Sequence, residues 1–351
     1  MNNSTRVLSA AVATAALVLG PVVAANAVPW DGNDIGHGGM TWIVNTDSVA
    51  LDNIDLGAPG SSVYADPLDD FGVALIEFDP ADGFGWLGVE DAGDVDVAEV
   101  DDDLVLTATA AYPNLTENNL TADIELRIYA DGDLARQSVT YTNTGTESVT
   151  ANIGFDTEFG STGEVIGYQN SSDAVLSLPA SEDDASRDAL NDSGAKWAVH
   201  QHECDAPVSI AWGDATAEEQ AYLSNMSGAD WDVRLDDVVI PAGEAVTTVV
   251  FLKWAPSILI DNDYDNNACD SAKQDLYSAA LVAASTEFDS FSGRMTAGLE
   301  GVNVINWTPA DAEPEALAAT GVNTVSSGLA VAGVLSLVGA VSLAAVRRRT
   351  V

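Results

Sequence analysis

Apolar and polar residues alternate with a period of two over much of the region between residues 40 and 255. The clearest case is residues 122–129, in which apolar side chains at positions 124, 126 and 128 alternate with mostly charged ones. Such alternation predicts a β-strand with one face in a core and the other in solvent. The same criterion predicts further strands at residues 104–110, 136–143, 148–155, 208–212, 231–235 and 245–254.

Tight turns rich in Gly, Asn and Asp separate these segments, as at residues 131–133, 143–146 and 241–244. Short strands joined by such turns predict a mainly β fold, an antiparallel β-sandwich or a larger supersandwich. Residues 136–155 and 240–254 also resemble the outer strands of immunoglobulin-like or supersandwich domains of bacterial surface and carbohydrate-active proteins. This resemblance implies the same architecture.

Two segments interrupt the strand pattern. Residues 215–224 are polar and rich in Ala, which suggests a short helix, and residues 270–288 carry apolar side chains at helical spacing, which predicts a longer one. The pattern returns to β at residues 301–307. We therefore expect residues 28–307 to form one large β domain or two closely packed sheets, and residues 308–316 to form a short spacer.

The N-terminal residues 1–27 have the features of a secretory signal. A single charged residue precedes an apolar run over residues 7–23, and Ala25 and Ala27 supply the small side chains that a signal peptidase requires. A membrane anchor is the alternative, which the small residues at the end of the run disfavour. We expect the mature, secreted chain to begin at Val28.

The C-terminal segment contains three features in a fixed order. The first is a short motif formed by Leu317, Ala318, Ala319, Thr320 and Gly321. An uncharged stretch over residues 325–346 follows, long enough to cross a bilayer as a transmembrane helix. Residues 347–349, all Arg, then keep the tail cytoplasmic by the positive-inside rule. This order resembles the cell-wall sorting signal of Gram-positive surface proteins. Because Ala318 stands where proline is usual, the motif is similar to substrates of the class E sortases of high-GC actinobacteria.

The resemblance implies a transpeptidation that is performed on this protein. A sortase cysteine attacks the carbonyl carbon of Thr320 and releases the chain from Gly321 onward. An amine of the peptidoglycan precursor then takes over Thr320. The implied partners are sortase and peptidoglycan, and the implied location is the cell wall, after transient insertion in the membrane. A plain tail-anchored membrane protein is the alternative.

The charge of the chain limits its partners. Lys and Arg number 12 against 55 Asp and Glu, which gives a formal net charge of −43. This balance excludes the basic surface that nucleic-acid binding requires, and it argues against docking on anionic lipid headgroups. It does not indicate disorder, because hydrophobic residues make up 47% of the chain. An acidic surface adapted to salt, or the low lysine use of a GC-rich genome, explains the charge as well as a dedicated function does.

An acidic segment near the predicted helix is a candidate cation site. Asp261, Asp263 and Asp265 supply carboxylates at alternating positions, as in the opening of a calcium loop. Asn266 stands where an EF-hand has glycine, and Ala272 stands where it has glutamate, so a complete EF-hand is excluded. Two interpretations stay open: a partial Ca²⁺ site completed by other oxygens, and a solvated loop that caps the helix.

The few cysteines and histidines supply further candidates. Cys204 and Cys269 are the only cysteines, and in an exported, oxidising compartment they predict a disulfide. His200 and His202 fall on one face of a strand if their segment is extended. That spacing can bind a transition metal, but we expect an exposed strand end.

No residue pattern identifies a catalytic centre. Among so many acids no carboxylate pair is distinguished, and the sequence contains no phosphate-binding loop, hydrolase serine motif or zinc-ribbon spacing. Exposed tryptophan side chains in proteins can stack on sugar rings, whereas tryptophans within apolar strands pack in cores by default. The stacking candidates are Trp86, Trp212, Trp231 and Trp254.

The sequence therefore predicts a secreted, wall-anchored surface protein with a non-catalytic binding, adhesive or structural role and a glycan or protein ligand. One alternative is a carbohydrate-binding or carbohydrate-active supersandwich, which requires acids that converge on a concave sheet face. The other is an acidic surface-layer component that assembles with cations.

Overall fold

The computed structural model describes most of the region between residues 26 and 309. The described residues are 26–27, 34–56, 67–90, 94–160, 163–169, 175–176, 184–201, 205–214, 216–227, 229–261 and 271–309. Contacts divide the chain into two compact units, Met1–Asp311 and Ala312–Val351. All of the described residues belong to the first unit.

Strands dominate the described residues. They are β1 (Asn26–Ala27), β2 (Ile35–His37), β3 (Met40–Asn45), β4 (Ala50–Leu56), β5 (Asp70–Glu77), β6 (Gly85–Trp86), β7 (Asp96–Val100), β8 (Asp103–Thr109), β9 (Leu120–Ile128), β10 (Leu134–Asn143), β11 (Val149–Glu158), β12 (Glu164–Gln169), β13 (Val175–Leu176), β14 (Trp197–Gln201), β15 (Val208–Ala211), β16 (Tyr222–Ser227), β17 (Asp230–Ile240) and β18 (Ala245–Lys253). The α-helices are α1 (Pro113–Glu117), α2 (Asp184–Ser193), α3 (Pro256–Asp261) and α4 (Ser271–Ser285). Two 3-10 helices, Thr286–Asp289 and Gly293–Thr296, follow α4.

The strands form two antiparallel sheets. The larger sheet has ten strands in the order β1-β7-β8-β9-β10-β18-β15-β14-β12-β13. The smaller sheet has eight strands, ordered β16-β17-β11-β5-β4-β3-β2 with β6 beside β5. The predicted mainly β, antiparallel sandwich is confirmed.

The main core lies between the two sheets, because period-2 alternation directs one side of each strand inward. In β9, Ile124, Leu126 and Ile128 are at most 1% exposed. Trp42 of the smaller sheet and Trp254, which follows β18, meet edge to face with ring centroids 6.2 Å apart. Each such fully buried apolar side chain contributes about 1.5–3 kcal/mol of transfer free energy.

A second core covers the outer face of the larger sheet. Leu281 of α4, Phe288 and Met295 belong to one buried cluster with Trp197 and Phe251 of the sheet. The C-terminal segment, residues 271–309, therefore buries the middle of this face. The side formed by β7, β8, β9 and β10 keeps exposed polar residues.

Two local predictions were wrong. Residues 215–224 do not form a helix; the described part contains a turn, and β16 begins at Tyr222 and pairs with β17. Residues 301–307 do not form a strand, and they contribute only an isolated bridge between Val304 and Thr247. From Tyr222 onward, pairing with β17 overrides the helical preference of the first segment.

The helix predicted over residues 270–288 is confirmed by α4 and the 3-10 helix after it. One predicted apolar position, Leu276, is 53% exposed, whereas Leu281 is fully buried. Within the described part of the chain, no helix has both the length and the apolar character needed to cross a membrane. The span predicted over residues 325–346 lies outside that part.

Candidate functional site

A cleft of about 650 Å³ lies over strands β7–β10 on the outer face of the larger sheet. The C-terminal segment borders it at Gly298, Leu299 and Val302. Directly opposed residues on neighbouring strands stand about 5 Å apart, so polar residues in register form rows across a sheet. The floor of this cleft consists of two such rows.

Strand register defines the two rows. The first row consists of Asp96, Thr107, Glu125 and Ser138. The second row consists of Thr109, Asp123 and Thr140. All seven side chains line the cleft, which we call the rung cleft.

The second row carries a hydrogen-bonded carboxylate at the surface. Thr109 Oγ1 donates to Asp123 Oδ1 at 2.7 Å, and both residues are exposed. Asp123 Oδ2 has no hydrogen-bond partner among the described residues. The oriented carboxylate therefore keeps one oxygen for a ligand.

Two arginines position Glu125 in the first row. Arg136, which is fully buried, and Arg127 both donate to Glu125 Oε1, the latter from Nε at 3.5 Å. Arg136 Nη1 also donates to the carbonyl oxygens of Met295 at 3.0 Å and Ala297 at 2.7 Å. Because a buried guanidinium must be paired, this network fixes the Glu125 carboxylate and connects the cleft floor to the C-terminal segment.

Ser138 contributes a hydroxyl that the protein leaves unpaired. The residue lines the cleft and is only 4% exposed. Its hydroxyl forms no hydrogen bond to any residue that the structure describes. A ligand that reaches Ser138 from the cleft therefore gains a hydrogen bond that the described part of the protein does not supply.

An ion cluster of Asp133, Lys253, Glu287 and Arg294 fixes the C-terminal segment to the same sheet. Lys253 Nζ lies 3.0 Å from Asp133 Oδ2 and 2.8 Å from Glu287 Oε2, and Arg294 binds both carboxylates at 2.7 Å. Burial alone would raise the pKa of Asp133 and of Glu287, but hydrogen bonds from Arg294 and the neighbouring Lys253 lower the pKa of each below its ordinary value. Both carboxylates therefore stay ionised at neutral pH.

Two carboxyl groups of the smaller sheet have strongly raised pKa values. Burial, together with the charge of Asp232 and a hydrogen bond to it, raises the pKa of Asp156 to about 7. Burial and the charges of Asp52 and Glu158 raise the pKa of Asp70 to about 6. Two carboxylates in contact cannot both ionise without mutual repulsion. The Asp156 carboxyl therefore keeps its proton in the folded protein up to about pH 7.

The structure leaves most of the sequence-predicted site residues untested. Asp261 is the last residue of α3, and the other candidates lie outside the described residues. Those candidates are Asp263, Asp265, Cys204, Cys269, His202 and the sorting motif at 317–321. Within the described ranges, no group of three or more His, Cys, Asp or Glu side chains is arranged to hold a metal ion. The calcium site, the disulfide and the sorting signal stay predictions.

The prediction that His200 is exposed was wrong. His200 is 3% exposed and stacks on Phe159 with ring centroids 3.7 Å apart, and the edge of its ring meets Trp231 at 6.0 Å. The cause is that β14 is buried on both faces. The main core covers the side of His200, and α4 covers the side of Trp197 and Val199.

Most of the tryptophans considered for sugar stacking pack in cores. Trp212, Trp231 and Trp254 are each 1% exposed, whereas Trp86 is 66% exposed. Trp86 lies on β6 of the smaller sheet and does not line the rung cleft. The cleft residues themselves were not identified as a site from the sequence. Their only signal was the polar side of the alternation in three consecutive strands.

Comparison with known proteins gives fold similarity only. No protein-family model matches the chain, and no curated protein matches it. One similar solved structure, assigned as an aldose 1-epimerase of Klebsiella pneumoniae, is 12% identical, and the match covers 78% of this chain and 85% of that chain with a TM-score of 0.39. A galactose mutarotase related enzyme of Lactobacillus acidophilus is 7% identical, with 63% and 96% covered and a TM-score of 0.31. A protein of Escherichia coli K12, also assigned as an aldose 1-epimerase, is 12% identical, with 63% and 97% covered and a TM-score of 0.34.

The expectation of a non-catalytic protein does not hold against these comparisons, in which the similar structures are described as aldose 1-epimerases or as a galactose mutarotase related enzyme. At this identity and these TM-scores, the similarity assigns neither a substrate nor an activity to this chain.

Proposed function

We propose that this protein is a carbohydrate-active surface protein that binds a carbohydrate in the rung cleft. The observation that carries the proposal is the first row of the cleft floor, in which the fixed carboxylate of Glu125 lies between the hydroxyls of Thr107 and Ser138. Sugars present neighbouring hydroxyls that both donate and accept hydrogen bonds. Carboxylates accept and serine or threonine hydroxyls do both, so this row is complementary to such a ligand.

The rest of the cleft supports the same ligand class. Its volume of about 650 Å³ lies within the range of small-molecule pockets, about 300–1,000 Å³. Leu299 and Val302 add apolar surface at the border, against which the C–H groups of a sugar ring can pack. The two rows fix polar contacts in the floor, and the C-terminal segment supplies one wall.

A glycan array probed with the full-length protein tests the proposal. We expect saturable binding to a defined glycan, reduced about tenfold by Ser138→Ala, since one hydrogen bond to a ligand is worth about 1 kcal/mol or slightly more. Asp82→Asn, a change at an exposed turn outside the cleft, is the matched control and should bind as the wild type does. An array without any binder, or binding that Ser138→Ala leaves unchanged, would contradict the assignment. Turnover of any glycan that binds should be assayed in the same samples.

We further propose that a sortase anchors the protein to peptidoglycan through Thr320. This proposal is supported by the order of three features in the sequence: the motif at residues 317–321, the apolar stretch at residues 325–346 and the three arginines at residues 347–349. Digestion of the cell wall should release a protein that ends at Thr320 and bears a peptidoglycan fragment. Extraction by detergent of an intact chain that still carries residues 347–349 would contradict the anchoring.

A further inference from the structure

The side chains that line the rung cleft carry negative charge only. Glu90, Asp94, Asp96, Asp123 and Glu125 line it, and its lining among the described residues includes no Lys, Arg or His. Arg127 and Arg136, which lie beside Glu125 on the same face of the sheet, donate to Glu125 but not to the other four acids. The cleft therefore presents at least four carboxylates whose charge no basic side chain in the lining offsets.

This charge selects among carbohydrates. A uronic acid or a phosphorylated sugar would bring a like charge close to several carboxylates in a partly enclosed site, where the repulsion is stronger than in bulk water. A neutral sugar would be tolerated. A sugar with a protonated amine would form charge-assisted hydrogen bonds, which are shorter and roughly twice as strong as neutral ones.

We propose that the rung cleft is selective for amine-bearing sugars, such as oligosaccharides of glucosamine. This inference rests on the proposed carbohydrate binding and names its substrate class. The ammonium group binds Asp123 Oδ2, the carboxylate oxygen of the second row that has no described partner. A ring hydroxyl accepts from Ser138 Oγ, and the neighbouring hydroxyl donates to Glu125 Oε2.

Ser138 favours a sugar over another cationic ligand. A lysine-rich peptide would also be drawn to the carboxylates, but its ammonium groups only donate hydrogen bonds, so they can satisfy the oxygen of the Ser138 hydroxyl but not its O–H donor. Ser138 is 4% exposed and its hydroxyl, without a partner in the described part of the chain, lines the same cleft. A ligand that carries hydroxyls beside its amine satisfies this group as well as the acids.

Calorimetric titration of the full-length protein with four matched oligosaccharides tests the inference. The ligands are β-1,4-linked tetramers of glucosamine, N-acetylglucosamine and glucose, and a tetramer of galacturonic acid. The first three differ only in the group at one ring carbon. We expect the glucosamine tetramer to bind at least tenfold more tightly than the glucose tetramer. Its affinity should fall as the salt concentration is raised. The galacturonic acid tetramer should not bind.

Variants localise the effect. Asp123→Asn and Ser138→Ala should each weaken binding of the glucosamine tetramer about tenfold, whereas Asp82→Asn, which removes the same charge outside the cleft, should not. Equal affinity for the glucosamine and glucose tetramers would overturn the selectivity and leave carbohydrate binding in place. Binding of none of the tetramers together with a blank glycan array would overturn both. Tetralysine that binds as tightly as the glucosamine tetramer, with no effect of Ser138→Ala, would show general attraction of cations and overturn the inference.

Discussion

At the scale of single residues, a buried cation holds the cleft floor together. The side chain of Arg136 is fully buried, yet it donates to Glu125 on the sheet and to two carbonyl groups of the C-terminal segment. A buried charge that satisfies this many acceptors is costly to remove, because each acceptor is then left in a poorly solvated place. Arg136 therefore supports both the site and the fold.

Arg136→Met should lower the free energy of unfolding by roughly 2–4 kcal/mol. This loss is somewhat smaller than that expected for breaking a fully buried ion pair, because Glu125 stays partly exposed. Denaturant unfolding monitored by tryptophan fluorescence measures the change. Arg187→Met, which removes a cation paired at the surface with Asp184 and Asp188, is the control and should change the stability little. Equal effects of the two substitutions would contradict the role of Arg136.

The carboxyl pair on the smaller sheet predicts a pH effect of definite sign. Burial and Asp232 raise the pKa of Asp156 to about 7, above the value of about 4 expected in the unfolded chain. The folded state therefore binds more protons between these values, and this group makes stability fall as the pH rises from about 4 to about 7. Asp156→Asn should remove that part of the decline and raise the melting temperature at pH 8 by a few degrees, on the order of 2–4 °C.

Thermal unfolding of wild type and Asp156→Asn at pH 5 and pH 8 measures this effect. Asp82→Asn serves as the control for removal of one surface charge. A melting temperature of Asp156→Asn that falls with pH as steeply as that of the wild type would show that the pKa of Asp156 is not raised in the folded protein.

At the scale of elements, the sequence predicted the strands in which apolar and polar residues alternate regularly. In these strands one face packs in the core and the other faces solvent. Strand β9 is such a case: its apolar side enters the main core and its polar side forms the cleft floor. The alternation was misleading for β14, because both of its faces are buried and a histidine packs as an aromatic ring among Phe159 and Trp231. Residues 215–224 do not form the predicted helix, because the segment pairs with β17 from Tyr222 onward and this pairing outweighs a weak local preference.

The rung cleft shows why the site was harder to predict than the strands. Asp96, Thr107, Glu125 and Ser138 become neighbours only through the register of four strands. A shift of one residue in any pairing would turn one of these side chains into the core. Alternation identifies which residues share a face, but it does not fix which residue stands opposite another.

The C-terminal segment is an element whose attachment depends on ionised carboxylates. Because hydrogen bonds and charges from Arg294 and Lys253 lower the pKa values of Asp133 and Glu287, the ion cluster stabilises the fold above the unfolded pKa values, about 4. That stabilisation is lost as the pH falls through the lower folded values. Arg294→Gln should weaken the attachment, speed hydrogen exchange in residues 286–299 severalfold and move acid unfolding to higher pH.

Exchange rates followed by mass spectrometry at pH 7, with acid titration by circular dichroism, test the attachment. Arg187→Gln removes a cation of α2 and should leave exchange in residues 286–299 unchanged. Faster exchange spread evenly over the sheets would indicate general destabilisation instead of release of the segment.

At the scale of the whole molecule, a formal net charge of −43 is carried by a sandwich with a well-filled core. Most of the acids among the described residues lie on strand faces and turns that point to solvent, where salt screens their repulsion. The rung cleft differs from that general surface because its acids stand in register beside hydroxyls, and because a buried arginine on the same sheet face holds Glu125. This arrangement, and not the charge alone, is the basis for assigning a ligand site.

The most direct test of the account is hydrogen–deuterium exchange of the full-length protein with and without the glycan that binds best on the array. If the rung cleft is the binding site, exchange should slow in residues 104–109, 121–127 and 134–140 and at its border in residues 297–302. The Ser138→Ala variant should show less protection at the same glycan concentration. Protection confined to the smaller sheet or to the β12–β15 side of the larger sheet would place the ligand elsewhere and contradict the central claim.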